Sequence, residues 1–148
     1  LHNSGMVVTH DIPGEGIHPP NKIAVGKRLA RLALTKESGP RLLDYQIHGS
    51  EAHLWFDNVG DGLSAKSDIL KWFELATDEG EWHQAEAKIE ETNRVVVTSQ
   101  NVATPVAIRY ACHTNPQGGN LYNSAGLPAS SFCTKLEWLP WEDQPKNR

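Results

Sequence analysis

The spacing of apolar positions changes character once along the chain, at Ser38-Gly39-Pro40. Before it, Ile23, Gly26, Ala30 and Ala33 recur at helical spacing with Leu29 beside them, while Lys22, Lys27, Arg28 and Arg31 fall largely off that stripe. The pattern predicts an amphipathic helix of about four turns, with Pro20 well placed as its first residue and small side chains that let it lie close on a sheet. Upstream, Gly5-Met6-Val7-Val8-Thr9 is short and mostly apolar, the pattern of a strand buried on both faces of a parallel sheet. Such a strand needs neighbours, and the residues that follow it are of another kind, so the N-terminus reads as cut from a longer protein.

Beyond Pro40 the period becomes two. Leu43, Tyr45 and Ile47 alternate with Asp44, Gln46 and His48; after Gly49-Ser50, Ala52, Leu54 and Phe56 alternate with His53, Trp55 and Asp57. This predicts a hairpin. Val59 to Leu63 reads as a turn, Ile69 to Ala76 as a third strand with Phe73 and Leu75 inward, and Asp78-Glu79-Gly80 as another turn. Glu81 to Glu91 fits a strand nearly as well as a short helix; strand is preferred because Thr92-Asn93-Arg94 resembles a hairpin tip before the β-prone Val95-Val96-Val97-Thr98. Val106, Ile108 and Tyr110 mark a last strand. Short strands at this spacing without intervening helices suggest an antiparallel sandwich. From His113 onward, Asn, Gly, Pro and Ser dominate, with Tyr122, Phe132, Trp138 and Trp141 as aromatic anchors that point to packing against another body.

Composition adds mostly exclusions. At 148 residues, with 39% hydrophobic and 22% charged side chains, the chain is long enough for one ordinary core. It contains no apolar run long enough for a membrane-spanning helix, so no membrane partner is expected. The net charge of −4, with basic residues scattered singly or in pairs, argues against a nucleic-acid partner. Cys112 and Cys133 give neither a disulfide framework nor metal spacing, and one bridge or two thiols remain equally open. The seven histidines include no His-Glu-x-x-His pattern, so neither a metal nor a cofactor is expected.

The chemistry concentrates in Thr9-His10-Asp11-Ile12-Pro13-Gly14-Glu15-Gly16-Ile17-His18-Pro19-Pro20. His18 sits in a Gly/Pro-rich loop, with Glu15 three residues and Asp11 seven residues before it, and a helix directly after. A histidine with a carboxylate to orient it is what a hydrolase uses as general base. The plainer alternatives are a surface histidine and solvated turn carboxylates.

Two distant stretches carry a family resemblance. Asn3 to Ile12 followed by Ile17-His18-Pro19-Pro20-Asn21-Lys22 and Val25-Gly26-Lys27-Arg28-Leu29-Ala30 resembles the C-terminal histidine block of sialate O-acetylesterases. Val106 to Ala111, Gly119-Asn120-Leu121-Tyr122-Asn123 and Gly126-Leu127-Pro128-Ala129-Ser130 resemble the closing segment of that family. These are serine esterases of the GDSL/SGNH type, which remove acetyl groups from sialic acids or other sugars.

The resemblance implies a mixed α/β fold: residues 1–38 would supply the last strand, loop and helix of a flavodoxin-like hydrolase domain, and residues 39–148 an antiparallel β-sandwich-like module. It also implies an acetylated carbohydrate as substrate, a periplasmic or extracellular setting, and His18 as the base that takes a proton from a serine. Where the family pattern has Asp three residues before the histidine, this sequence has Glu15, so Asp11 competes for the orienting role. Cys112 and Ser131-Phe132-Cys133-Thr134-Lys135 also depart from the pattern. No Gly-Gln-Ser or Gly-Asp-Ser occurs, so the nucleophile would have to come from an upstream catalytic segment, and the chain is not expected to be active alone. The competing reading is a non-catalytic β-sandwich that binds glycan or protein through its tryptophans. On the bland side, the tryptophans pack in a core, Arg109 lies on a solvated or ion-paired face, and Asn120 and Asn123 support a turn.

Overall fold

The computed structural model describes residues 4–12, 14, 18 and 20–138. Among them one α-helix, α1 (Lys22–Thr35), precedes ten short strands: β1 (Arg41–His48), β2 (Glu51–Asp57), β3 (Leu63–Ala65), β4 (Phe73–Ala76), β5 (Trp82–Gln84), β6 (Glu86–Ile89), β7 (Arg94–Thr98), β8 (Ala107–Tyr110), β9 (Leu121–Asn123) and β10 (Phe132–Cys133). The strands make two four-stranded sheets, ordered β1-β2-β7-β6 and β10-β8-β4-β5, and a small β3-β9 pair. Every ladder is antiparallel.

One core lies between the sheets. Ala52, Leu54 and Phe56 of β2 and Val95 and Val97 of β7 meet Phe73 and Leu75 of β4 and Ile108 and Tyr110 of β8. The alternation in β2 places these residues inward and His53, Trp55 and Asp57 outward, as period two requires. In β1 a bulge between Leu42 and Asp44 shifts the register, so Leu42 rather than Leu43 packs on the core and Leu43 is 65% exposed.

The stretch read as one strand from Glu81 to Glu91 is two. Gln84 pairs with Glu74 in one sheet, Glu86 pairs with Thr98 in the other, and the chain passes between them at Ala85, whose N–H still donates to the Phe73 carbonyl at 3.0 Å. This is a corner strand that ties the sheets together. The strand expected from Ile69 begins only at Phe73, because Trp72 adopts φ 68°, outside the strand region.

The expected flavodoxin-like α/β portion is not present: the described residues form antiparallel sheets with a single helix. Residues 4–9 make no strand, for lack of a neighbouring strand to pair with. Helix α1 starts at Asn21, whose side-chain oxygen accepts from the Ala24 N–H, rather than at Pro20, and closes on Lys36 in a left-handed conformation. Its packed face is also not the predicted stripe. Ala24, Val25, Arg28, Arg31 and Leu32 are half-buried, whereas Ile23 is 73% and Leu34 84% exposed. Charge decides the orientation, because Arg28 has a buried partner.

The link from α1 to β1 is seated on the residues around β9. Gly39 runs against the chain at Pro128, where a Cβ would stand 1.8 Å from the Pro128 carbonyl oxygen. Pro40 accepts from Ser130 N–H at 2.9 Å, and the Asn123 amide donates to the carbonyls of Ser38 and Asn58.

Candidate functional site

The loop that leads to His18 begins with a turn, Ile12 N–H to Thr9 carbonyl at 3.0 Å, that turns Asp11 toward the helix. Both carboxylate oxygens of Asp11 accept from the Arg28 guanidinium, at 2.7 and 2.6 Å, and the same guanidinium donates to the Val8 carbonyl at 2.7 Å. The Tyr122 hydroxyl lies 3.1 Å from the Asp11 carboxylate and 3.3 Å from the Gly119 carbonyl, with the Lys66 ammonium over its ring. Burial pushes the Asp11 carboxyl up, but the Arg28 fork, helped by Tyr122, outweighs it and holds the group below the usual carboxylate range. Burial and the adjacent Asp11 raise the Tyr122 hydroxyl, so it stays a donor.

His10 anchors the loop on the other side. Its Nε2 lies 3.1 Å from the Ala129 carbonyl, which places the proton on that nitrogen, and its carbonyl accepts from Gly118 N–H at 3.2 Å. Burial lowers the imidazole's pKa, offset only in part by the Ala129 hydrogen bond, and the ring is neutral. Gly119 is required by this contact, since a Cβ there would stand 2.4 Å from the His10 ring. Gln117 completes the attachment: its amide donates to the Gly14 carbonyl, and its own carbonyl accepts from the Trp72 indole N–H at 2.9 Å.

The two stretches that carry the family resemblance, roughly a hundred residues apart, therefore meet in space. The candidate residues are placed differently. His18 is exposed, and no described residue hydrogen bonds to its ring. Asp11 is occupied by Arg28 and Tyr122 and does not reach His18. Glu15 lies outside the described residues. Among the described residues no three His, Cys, Asp or Glu side chains converge as a metal site would need.

Arg28, His10 and Gln117 carry no site role in the sequence reading, and Tyr122 reads there only as an aromatic packing anchor, although Arg28, His10 and Tyr122 lie in the two recognisable stretches. Arg28 read as an off-stripe surface base, and only its pairing with an acid seventeen residues earlier gives it a role. Asp11→Ala strands Arg28 and Tyr122 and is expected to cost about 2 kcal/mol in urea denaturation. Because the Asp11 carboxyl titrates lower in the folded chain, its contribution is complete above the ordinary carboxylate value. It is lost as pH falls through the folded one, so the variant should differ from the parent at pH 7 and converge with it in acid.

A second polar cluster sits on the outer face of the other sheet. Glu74, 8% exposed, accepts from Arg109 at 2.6 and 3.0 Å and lies 2.7 Å from His113 Nε2. Burial pushes its carboxyl up, and Arg109 and then His113 bring it below the ordinary value. Arg109 stacks on Trp82, Trp138 meets Trp82 edge-on at 87°, and His113 packs on Trp72. Trp72, Trp82 and Trp138 are thus each held by ring contacts with neighbouring side chains; Trp141 lies outside the described residues. Cys112 and Cys133 are both free thiols, and burial pushes Cys112 up to about 11.

No protein-family model matches the sequence, and no curated protein matches it. Among solved structures, a crystal structure described as a novel carbohydrate acetylesterase from Xanthomonas citri is similar to it, with a TM-score of 0.77 and 37% sequence identity over 85% of this chain. The chain spans 31% of the length of that structure. By sequence and by fold together, the chain is related to a carbohydrate esterase.

Proposed function

We propose that the chain is the C-terminal portion of a carbohydrate O-acetylesterase of the sialate O-acetylesterase kind, a serine esterase of the SGNH type acting on O-acetylated sialic acid or another acetylated sugar. The observation that carries this reading is the 37% identity to a carbohydrate acetylesterase across 85% of the chain. In this reading residues 1–38 bring the catalytic histidine, and residues 39–148 are the β module that holds it. His18 takes the proton from a serine hydroxyl as that oxygen attacks the acetyl carbonyl, then returns a proton to the leaving sugar oxygen. The serine comes from an upstream segment. Glu15 takes the orienting role and Asp11, already committed to Arg28, fixes the loop.

Two features support a larger body around this chain: the apolar stripe of α1, with Ile23 and Leu34 facing solvent, and the fraction of the related structure that is matched. A free His18 ring is what a base waiting for a partner from another segment would look like. The same free ring favours the alternative, a non-catalytic carbohydrate- or protein-binding β module, because no described carboxylate orients it.

The test is acetate release from an O-acetylated sugar by the complete protein. His18→Ala is expected to lower kcat at least about 10²-fold without changing Tm, since the side chain is exposed. Unchanged turnover in that variant would leave the binding-module reading. Turnover by the purified 148-residue chain would overturn the need for an outside serine.

A further inference from the structure

A groove with a volume of about 600 Å³ opens where β5 passes into β6, away from Asp11 and Arg28. Its floor is apolar, made by the buried Leu70 and Phe73. Its rim carries Gln84, Glu86, Gln100 and Asn101, all exposed, whose side chains make no hydrogen bond to any described residue. Trp72 forms part of its wall.

That wall is held in place against local cost. Trp72 has φ 68°, a left-handed conformation that bulky residues rarely adopt, and such outliers persist only where surroundings impose them. Here Asn120, 6% exposed, imposes it: its side-chain oxygen accepts from Lys71 N–H at 2.9 Å, and its amide donates to the Ile69 carbonyl at 2.7 Å and to Ser67 Oγ at 2.6 Å. The Trp72 carbonyl accepts from Ala111 N–H at 3.0 Å. One part of the indole is covered by His113, and its N–H is fixed on Gln117, which in turn holds Gly14. Two hydrogen bonds thus connect the groove wall to the loop that carries His18.

We propose that this groove is a subsite for a neutral oligosaccharide, seating sugar rings beyond the one that bears the acetyl group. The chemistry of the lining fits sugar: a fixed aromatic surface and an apolar floor suit the C–H faces of pyranose rings, and uncommitted amides and a carboxylate suit hydroxyls. Lys71 and Glu86 are the charged residues of the lining, one of each sign, so a net anionic sugar gains nothing there over a neutral one. The proposal rests on the carbohydrate reading above.

The experiment is an amide and indole NMR titration of the 148-residue chain with xylotetraose, cellotetraose and mannotetraose, and with N-acetylneuraminic acid for comparison. Saturable shifts at the Trp72 indole and at Gln84 and Asn101 with at least one tetrasaccharide are expected. Trp72→Ala should weaken that binding about tenfold. Because Trp72 also contributes to packing, Gln84→Ala with Asn101→Ala serves as the surface variant, and it too should weaken binding with Tm unchanged. No saturable shift with any tetrasaccharide, preference for N-acetylneuraminic acid, or unchanged affinity in the surface variant would overturn the subsite. The probes carry no ester, so a failed titration with acetate release intact overturns the groove alone. Binding without acetate release in the complete protein overturns the esterase reading instead.

Discussion

Arg109→Leu is expected to destabilise the chain by about 3–5 kcal/mol, the cost of leaving a buried carboxylate without its main partner. Glu74 is almost fully enclosed, and His113 alone, on the solvent side of the cluster, cannot replace a two-pronged guanidinium. The pair itself need not be strongly stabilising. Glu74→Leu combined with Arg109→Leu should recover most of the loss, since two apolar side chains of suitable volume bring no unmatched charge. A urea series on the three variants separates these effects: if the double variant were as unstable as the single, the damage would lie in packing around Trp82 and not in the charge. The pH dependence has a fixed sign. Glu74 titrates below its ordinary value in the folded chain, so its contribution is whole above the unfolded carboxyl value near 4.5 and disappears as pH falls through the folded value. The single variant should lose most of its disadvantage in acid.

The second large effect is steric. Gly39→Ala puts a methyl carbon 1.8 Å from the Pro128 carbonyl oxygen, a backbone atom that cannot rotate away, and is expected to cost about 3 kcal/mol. The whole link between α1 and the sheets would have to move, so loss of Tm should come with faster hydrogen exchange at Ser130 N–H, which donates to Pro40. Gly26→Ala is the control. It lies within an exposed stretch of α1 with nothing within 4 Å of a built Cβ, so it should stabilise by about 0.5–1 kcal/mol through helix propensity. A Gly39→Ala variant as stable as the parent would mean that the link moves away from Pro128 at no cost.

The strands were legible because their signal is local. Ala52, Leu54 and Phe56 alternate strictly, and Val95-Val96-Val97 has few other uses, so β2 and β7 stand close to where periodicity puts them. What failed depended on partners remote in sequence. The stripe from Ile23 to Ala33 is a genuine amphipathic pattern, yet α1 turns it outward, because the energy of burying Asp11 with Arg28 is not visible in periodicity. Gly5 to Thr9 has the composition of a buried strand, but composition cannot supply neighbours, and among the described residues the flavodoxin-like sheet that the family resemblance implied is absent. Glu81 to Glu91 reads as one strand, and the break at Ala85 comes from the geometry of two sheets meeting at a corner.

The site was legible in part. The histidine loop and the Gly119 to Ser130 stretch were both recognisable as sequence, and their juxtaposition was not, since no spacing rule relates residue 11 to residue 122. Arg109 reads as lying on a solvated or ion-paired face; it is buried, in an ion pair with Glu74, which the sequence offers only as part of a strand. Asn120 and Asn123 read as turn residues; both are buried and hold other segments by their side chains.

The attachment of the His18 loop also dictates an order of events. Arg28 and Asp11 are close in sequence and can find each other as soon as α1 forms. Among the described residues the bonds that fix the loop to the sheets, by contrast, come from residues 117–129, and the Asp11 to Tyr122 contact closes a span of 111 residues. During synthesis from the N-terminus the histidine segment is therefore made before the strands that form its platform and secured after them. A chain halted before Gln117 could assemble β1, β2 and β7 and still leave the loop without these attachments.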